Sequence, residues 1–409
     1  MAKLAINGGS PIRTKPFPKW PVWDQNEINN LKKVVESGKW GSMQGNMVKT
    51  FAGKFASYHQ AKQGICVNSG TVALSVALKS VGIGCGDEVI LPAYTFVASA
   101  TAILDTGAIP VFVDIDPQTY NIDAAAIENA ITEKTAGIMP VHFGGRPAEM
   151  DRILSIAKKH DLKVIEDAAQ AWGSEWNHQK VGAIGDAGGF SFQSSKNITS
   201  AEGGIILTND DETAQFCRSF SNCGRAEGGV WYEHYYLGGN YRMTEFQAAV
   251  LLAQFDRYPE LKQKREENAH FLNKHLSQIK GVEILSNDPK VTSNSYHLYI
   301  WRYKKEHFNN IPKSKFIEAM QKEGVVLSAG YSIPLYTQPL FKNQAFGSRG
   351  KQVDLGIDYN AYHLAETEKG CYDEAIWFPQ FVLLGDENDM KDIVNAILKV
   401  KENVSEIKI

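Results

Sequence analysis

The chain has 409 residues, of which 43% are apolar and 22% charged, a composition typical of a globular protein with room for one large domain and a smaller one. Its formal net charge of −3 argues against a basic surface for nucleic acid or for an anionic membrane. No apolar run approaches the ~20 residues of a membrane span, and the N-terminus lacks the apolar core of a secretory signal. We therefore expect a cytoplasmic protein with neither nucleic acid nor membrane as a partner.

The cysteines predict neither a metal centre nor disulfides. They are scattered through the sequence without the Cys-x-x-Cys spacing of a zinc site or a redox pair: Cys66, Cys85, Cys217, Cys223 and Cys371. We expect free thiols in a reducing compartment and no bound metal.

The first 23 residues contain four prolines, Pro11, Pro16, Pro18 and Pro21, and this predicts an extended arm rather than a helix. Arms of this kind often pack on a neighbouring subunit. Asp24 and Glu27 then have the spacing of a capping box ahead of an apolar run, which predicts the first helix.

The segment C-V-N-S-G-T-V-A-L, residues 66–74, predicts a strand, a turn of small residues and a helix. The free N–H groups and the dipole of a helix N-terminus favour an anion, so the turn suits a phosphate group. On this turn alone, an ordinary strand-to-helix connection in which Ser69 caps the helix is the better explanation.

The middle of the chain alternates between strand and helix patterns. Predicted strands at P-V-F-V-D-I-D, G-I-M-P-V-H and K-V-I-E-D are separated by predicted helices. Repeated units of this kind predict an α/β fold with a mostly parallel sheet covered on both faces. The glycines of residues 82–86 precede a strand instead of following one, so they are not a dinucleotide-binding fingerprint.

Residues 164–204 carry the strongest indication of chemistry. Glu166 and Asp167 follow a buried strand at its carboxyl end, where open α/β sheets place their active sites, and Ser191 and Lys196 follow a second strand. A carboxylate, an amine and a phosphate cradle are what pyridoxal 5'-phosphate (PLP) needs from a protein. We assign Asp167 as the carboxylate beside the pyridine nitrogen and Lys196 as the Schiff-base lysine. Taken singly, such a lysine is usually a surface residue and such an acid pair a helix cap.

The motifs E-D-A-A-Q-A-W-G and F-S-F-Q-x-S-K-x-x-x-x-x-E-G-G resemble those of the DegT/StrS family of PLP-dependent sugar aminotransferases. The resemblance extends from about Pro18 to Glu402 and implies the type I aminotransferase fold, with a smaller α+β domain at the C-terminus. It also implies that Lys196 bonds to the cofactor. Some relatives carry histidine at that position and perform dehydration, so the lysine favours transamination.

The resemblance implies further cofactor contacts. The S-G-T turn and Ser191 would hold the phosphate, Phe96 would stack on the pyridine ring, Asp167 would face the ring nitrogen, and Gln170 would lie near the cofactor hydroxyl or the ring face. The complete predicted cofactor site is Ser69, Gly70, Thr71, Phe96, Asp167, Gln170, Ser191, Lys196 and Asn240, with Lys196 and Asp167 as the catalytic residues.

The loop before N-Y-R-M-T-E-F-Q-A-A is too long and too rich in glycine and tyrosine to be a simple connection. In the family, the position of Asn240 reaches the phosphate in the other subunit's site, which implies a homodimer. The S-N-C-G-R run at residues 221–225 resembles the branch that acts on keto-inositols.

We expect three parts: an N-terminal arm (1–23), a large PLP-binding domain (24–257) and a linking helix with a small α+β domain (258–409). The helix, from Met243 to Ser277, should be interrupted at Pro259. In the C-terminal part, the aromatic loops S-A-G-Y-S-I-P-L-Y and C-Y-D-E-A-I-W-F-P-Q either line a site for a polyhydroxylated substrate or connect packed domains. Arg146 stands where the resemblance leads us to expect a small or amide residue, and it contacts either substrate or solvent.

The expected reaction moves an amino group from L-glutamine or L-glutamate to a ketone on a sugar or cyclitol. One alternative is a nucleotide-sugar aminotransferase that serves cell-surface polysaccharide. Another is a PLP-binding regulator of the same fold without turnover.

Overall fold

The computed structural model describes residues 3–407, in which helices and strands alternate along most of the chain. The α-helices are α1 (Gln25–Ser37), α2 (Met47–Tyr58), α3 (Gly70–Ser80), α4 (Val97–Thr106), α5 (Ala124–Ala130), α6 (Met150–His160), α7 (Asp211–Ser221), α8 (Glu245–Leu276), α9 (Lys313–Lys322), α10 (Pro339–Lys342), α11 (Ala365–Lys369) and α12 (Glu387–Glu402). The strands are β1 (Gln63–Val67), β2 (Glu88–Pro92), β3 (Ile109–Val113), β4 (Thr135–Ile138), β5 (Lys163–Asp167), β6 (Glu175–Trp176), β7 (Gln179–Lys180), β8 (Ala187–Ser191), β9 (Gly204–Thr208), β10 (Val282–Ile284), β11 (Val291–Ser293), β12 (Leu298–Tyr303) and β13 (Ala375–Pro379). Across this part of the chain, no helix has both the length and the apolar character needed to cross a bilayer.

The central sheet has the strand order β1-β9-β8-β5-β4-β2-β3. Strands β3, β2, β4, β5 and β8 run parallel, and β9 runs antiparallel to both of its neighbours. Strands β2 and β3 are buried at every position, as expected for strands covered by helices on both faces. The predicted α/β fold with a mostly parallel central sheet is confirmed.

The strand directions bring the predicted site residues to one edge of the sheet. Strand β5 ends at Asp167 and β8 ends at Ser191. Strand β1 is antiparallel to β9 and therefore parallel to β8, so the turn at Ser69 after β1 lies at the same edge. This carboxyl edge is where ligands bind in open α/β sheets.

Helix α8 connects the central sheet to the C-terminal part of the chain. It is one continuous helix of 32 residues with Pro259 inside it, so the expected interruption at Pro259 is wrong. Pro259 is exposed and removes only one backbone hydrogen bond. The helix keeps its course because it packs against α1 and α2, with Phe255 and Tyr258 buried in the turn that precedes Pro259.

A second, antiparallel sheet, in the order β10-β12-β13, lies in the C-terminal part. Its apolar face joins a separate hydrophobic cluster with α9 and α12, including Trp301, Phe316 and Phe378. The domain division at residues 23 and 257 stays a prediction, and its outermost residues, 1–2 and 408–409, lie outside the described part of the chain.

Residues 3–23 form an extended arm with one short 3₁₀ turn at Ala5–Asn7. The arm packs on the C-terminal part of its own chain, where Leu4 and Phe17 join the hydrophobic cluster of that part. The Arg13 guanidinium lies 2.6 Å from the Asp389 carboxylate of α12, and both side chains are buried. Further along the arm, Trp20 donates to the carbonyl of Ser194, 2.9 Å away, so the arm ends beside the Lys196 turn.

Candidate active site

A cavity of about 460 Å³ opens at the carboxyl edge of the central sheet. We call it the Lys196 pocket. Eight of the nine predicted cofactor residues line it: Ser69, Gly70, Thr71, Phe96, Asp167, Gln170, Ser191 and Lys196. They come from four separate connections of the sheet, so the fold gathers side chains that are far apart in sequence.

Asn240 is the ninth predicted residue, and it does not line the pocket of its own chain. It is exposed, and a backbone bridge to Asn222 holds it at the surface. Its role toward a second subunit stays a prediction.

The N-terminus of α3 forms one end of the pocket. The Ser69 hydroxyl accepts a hydrogen bond from the N–H of Val72 at 3.3 Å, and its own proton stays available to a ligand. The N–H groups of the first turn have no partner within the helix. A Cβ at Gly70 would lie 2.6 Å from the Cβ of Ser191, so glycine is what allows the Ser191 hydroxyl to come this close. Two hydroxyls and a helix N-terminus thus form a cradle suited to an anion.

The Asp167 carboxylate is buried in the pocket. It accepts hydrogen bonds from the hydroxyl of Ser99 at 2.7 Å and from the N–H of Ala169 at 3.1 Å. Burial raises the pKa of Asp167, while these hydrogen bonds and the nearby Lys196 lower it. Within residues 3–407 it forms no ion pair with any lysine or arginine at 4.0 Å or less. The Asp167 carboxylate is therefore fixed by two hydrogen bonds and has no counter-ion among the described residues.

The neighbouring acid, Glu166, has a different environment. It accepts hydrogen bonds from the N–H groups of Gly182, Ile184 and Gly185 at 2.7–2.8 Å. His142 lies 2.9 Å away through Nε2. Because His142 Nδ1 accepts the N–H of Ala148, the ring proton is on Nε2 and is donated to Glu166. Glu166 thus holds the loop after β7 and has no capacity left for a ligand.

Lys196 lies in the turn after β8 and is partly buried. Burial lowers the pKa of its amine to about 8, although the Asp167 carboxylate acts in the opposite direction. A substantial share of the amine is therefore neutral near physiological pH, and the neutral form is the nucleophile.

Gln170 and Phe96 both line the pocket. The Gln170 side-chain oxygen accepts the N–H of Gly144 at 2.8 Å, which fixes the orientation of its amide. Phe96 precedes α4 and is 56% exposed, so its ring has free surface for contact with a flat ligand.

Four pocket residues come from the C-terminal part of the chain: His297, Leu298, Tyr331 and Trp377. Tyr331 and Trp377 come from the two aromatic loops noted in the sequence, one from each. Their rings meet edge to face, with 5.3 Å between the ring centroids. Sequence reasoning missed His297 and also Ser99. A serine inside a helix and a histidine at the start of a strand carry no distinguishing local signal.

His297 is neutral, because burial holds the pKa of its ring well below its usual value and the positive charges of Lys196 and Arg265 act in the same direction. Its Nδ1 lies 3.0 Å from the side-chain oxygen of Asn197, whose amide nitrogen donates to the carbonyl of Ser295. The ring proton is therefore on Nδ1, and Nε2 is an acceptor.

The pocket fits PLP group by group. The cradle at α3 matches the phosphate, the unpaired Asp167 carboxylate matches a protonated ring nitrogen, and the Lys196 amine matches the aldehyde. Among residues 3–407, no cluster of three or more His, Cys, Asp or Glu side chains is able to hold a metal ion. Fold and site together define a PLP-dependent enzyme of the type I aminotransferase fold.

The chain belongs to the DegT/DnrJ/EryC1/StrS aminotransferase family, whose model matches residues 21–397. The resemblance found in the sequence is thereby confirmed, and so are PLP as the cofactor and aminotransferase as the class of enzyme.

Individual relatives and structures match over nearly the whole chain. The L-glutamine:2-deoxy-scyllo-inosose aminotransferase of Streptoalloteichus tenebrarius is 37% identical over 424 residues, covering 99% of each chain. A pleiotropic regulatory protein of Geobacillus stearothermophilus is 38% identical over 359 residues, covering 87% of this chain and 90% of the relative. The crystal structure of 3-amino-5-hydroxybenzoic acid synthase has a TM-score of 0.85 and 32% identity, covering 96% of this chain and 100% of that one.

Proposed function

We propose that this aminotransferase moves the α-amino group of L-glutamine to the ketone of a scyllo-inosose-type cyclitol, a step of aminocyclitol biosynthesis. The full-length similarity to an L-glutamine:2-deoxy-scyllo-inosose aminotransferase carries this proposal. The nitrogen leaves Cα of L-glutamine, which takes its new keto oxygen from one water molecule and departs as the 2-oxo acid. The nitrogen then bonds to the carbonyl carbon of the cyclitol, whose oxygen departs as one water molecule.

The residues of the Lys196 pocket divide the work of holding the cofactor. The N–H groups of Gly70 and Thr71 and the hydroxyls of Ser69 and Ser191 would bind the phosphate. Phe96 and Gln170 would contact the ring. Bound there, PLP supplies the electron sink that stabilises charge developing at the substrate carbon.

Asp167 and Lys196 provide the charges and the proton for the reaction. The Asp167 carboxylate would keep the ring nitrogen of PLP protonated, and the hydrogen bonds that it accepts from Ser99 and Ala169 favour its ionised form. The Lys196 amine, with a pKa of about 8, takes the proton from the α-carbon of L-glutamine at Nζ. It later returns a proton to the carbon of the cyclitol that receives nitrogen.

The pocket wall from the C-terminal part suits a polyhydroxylated ring. The aromatic rings of Tyr331 and Trp377 offer apolar surface to the C–H faces of a cyclitol. His297 offers the unprotonated Nε2 to a hydroxyl group. A cavity of about 460 Å³, shared with the cofactor, favours a free ring over a sugar that carries a nucleotide.

A substrate panel tests the proposal. The PLP-loaded protein is supplied with L-glutamine or L-glutamate and with 2-deoxy-scyllo-inosose, its 3-amino analogue or nucleotide-linked keto-sugars, and kcat/KM is measured for each pair. We expect L-glutamine with an inosose to give the highest value. Turnover confined to the nucleotide-linked ketones would refute the cyclitol assignment and favour a role in polysaccharide synthesis.

We also propose that the active unit is a homodimer in which Asn240 reaches the partner's site. The loop before Asn240 exposes large apolar side chains, including Trp231, Tyr232 and Leu237 at 69%, 75% and 97%. A patch of this kind is typical of a protein interface. A second copy packed on this loop would bring the amide of Asn240 to the open phosphate end of the partner's pocket.

Mixing two inactive variants tests this arrangement. If a site combines Lys196 of one subunit with Asn240 of the other, a mixed dimer of Lys196→Ala and Asn240→Ala contains one intact site. Random subunit exchange should then restore about one quarter of the wild-type activity, because half of the dimers are mixed and each has one working site of two. If Asn240 serves its own subunit, the mixture stays as inactive as the Asn240→Ala protein alone.

Regulation without turnover is a second candidate, favoured by the similarity to a pleiotropic regulatory protein. A Lys196→Ala protein separates the two functions, because a regulator that only binds its partners would keep its effect in cells. We expect instead that the effect in cells disappears together with amino transfer.

A further inference from the structure

Arg146 is a buried cation without a counter-ion. Only 8% of its surface is exposed, and its Nε has no hydrogen-bond partner. Within residues 3–407, no carboxylate lies within 4.0 Å of its guanidinium, and its nearest acids, Asp288 and Asp116, act only at longer range. Guanidinium keeps its charge in proteins, and an uncompensated buried charge is costly. A bound anion would compensate the charge of this buried guanidinium.

The other two buried arginines of the described chain have side-chain partners. Arg13 pairs with Asp389 at 2.6 Å. Arg265 donates to the side-chain oxygen of Gln380, with its Nε at 3.0 Å. Arg265 also has no carboxylate partner, but its guanidinium is held by Gln380, whereas no side-chain hydrogen bond of Arg146 is formed within the described residues.

The Arg146 side chain lines a cavity of about 190 Å³. The turn at 143–146 forms one wall, and helix α8, the segment 284–287 and the segment 294–300 form the others. In the described structure, the lining contains no Asp, Glu or Lys, so Arg146 gives the cavity its one permanent charge. His270 and Asn287, which are both exposed, mark an entrance from solvent.

The polar groups around Arg146 favour a ligand that accepts hydrogen bonds. The side-chain oxygen of Asn294 accepts the N–H of Tyr296 at 2.9 Å, so its NH₂ group is left as a donor. The Tyr296 hydroxyl and the Asn273 amide lie in the same wall. A positive charge surrounded by donors selects an oxyanion.

The cavity is separate from the Lys196 pocket. Leu298 is the one residue that lines both, and it stands between them. The two sites share a support, because the N–H of Gly144 in the Arg146 turn donates to Gln170 of the pocket at 2.8 Å.

We propose that this cavity, the Arg146 cavity, is a binding site for a small oxyanion, a carboxylate or a phosphate. The guanidinium binds two oxygens of the ligand side by side, and Asn294 donates to a third or to the same group. The size of the cavity suits an ion such as phosphate or a short carboxylic acid and excludes a nucleotide. The ligand would bridge the turn after β4 and the start of β12.

Titration calorimetry on the PLP-loaded protein tests the proposal, because bound PLP already occupies the phosphate cradle of the Lys196 pocket. Inorganic phosphate and acetate are titrated separately at constant ionic strength into the wild type, Arg146→Gln and Arg152→Gln. Arg152 is the matched control, since it is an exposed arginine on the neighbouring helix α6, 3.9 Å from Glu149. Retention of the cofactor absorbance shows that each variant is folded.

We expect saturable binding of at least one of the two ions to the wild type and to Arg152→Gln, and at least tenfold weaker binding to Arg146→Gln. The ion that binds more tightly identifies phosphate or carboxylate as the ligand class. Equal binding by wild type and Arg146→Gln, or no saturable binding to the wild type, would overturn the proposal.

A second variant gives a readout that does not depend on the choice of ion. In a buffer with chloride as the only anion, Arg146→Met should raise the melting temperature, because it removes an unpaired buried charge. A lower melting temperature for Arg146→Met would mean that the arginine serves the fold and would contradict a ligand role.

Discussion

Replacing Asp167 with asparagine removes the buried negative charge of the Lys196 pocket and keeps the shape of the side chain. The amide oxygen can still accept the N–H of Ala169, and the amide nitrogen can donate to the hydroxyl of Ser99. The variant should therefore fold, bind PLP and lose only the charge opposite the ring nitrogen.

The expected size of the effect follows from that charge. Two unit charges about 4 Å apart at an effective dielectric near 20 interact by about 4 kcal/mol. Each ~1.4 kcal/mol corresponds to a tenfold change in rate, so kcat for amino transfer from L-glutamine should fall about a thousandfold.

The assay is the steady-state rate with saturating PLP, compared with Glu166→Gln as the matched control. Glu166 is the adjacent acid, and its hydrogen bonds all go to the protein. The control should keep the rate per folded molecule within about tenfold, a loss below ~1.4 kcal/mol. A loss of less than tenfold in Asp167→Asn, or an equal loss in both variants, would refute the assignment of Asp167 as the partner of the ring nitrogen.

Three further predictions concern neighbouring residues. Gly70→Ala should weaken PLP binding at least about tenfold, or ~1.4 kcal/mol, because the new Cβ would lie 2.6 Å from the Cβ of Ser191. A fluorescence titration with PLP measures the affinity. Gly53→Ala is the control, because a Cβ at that position meets nothing within 4 Å. The rate at which cofactor-free protein takes up PLP should rise with pH around a midpoint of about 8. Burial lowers the pKa of the Lys196 amine to that value, and only the neutral amine attacks the aldehyde of PLP. A midpoint near 10, measured by stopped-flow absorbance, would contradict the buried environment of the amine. Glu166→Gln should lower the free energy of unfolding by about 2 kcal/mol or more, because hydrogen bonds to a buried charge are lost, and chemical denaturation that gives an unchanged value would contradict its structural role.

The alternation of strands and helices along the chain and the residues at the floor of the pocket were predictable from sequence, because both depend on local patterns. Buried apolar strands alternate with helices up to β5, and Asp167 and Ser191 each stand at the end of a buried strand. The turn at Ser69 carries its own signal in three small residues. Physical rules that act over a few residues therefore account for the floor of the pocket.

The other wall could not be placed from sequence. His297, Tyr331 and Trp377 enter the pocket through the packing of the C-terminal part on the central sheet, and no spacing along the chain encodes that packing. Pro259 illustrates the opposite case, in which tertiary contacts overrule a local rule: buried contacts hold α8 together across the missing hydrogen bond. Arg146 stood out in the sequence, but only the structure shows that it lacks a counter-ion.

The most direct test of the central claim follows the nitrogen itself. The PLP-loaded protein is incubated with L-glutamine labelled with ¹⁵N at the α-amino group and with 2-deoxy-scyllo-inosose, and the cyclitol is analysed by mass spectrometry. The proposed function predicts a cyclitol amine that carries the label, and no such product with Lys196→Ala. An unlabelled amine, the same product from Lys196→Ala, or no amine from any keto-cyclitol would contradict it.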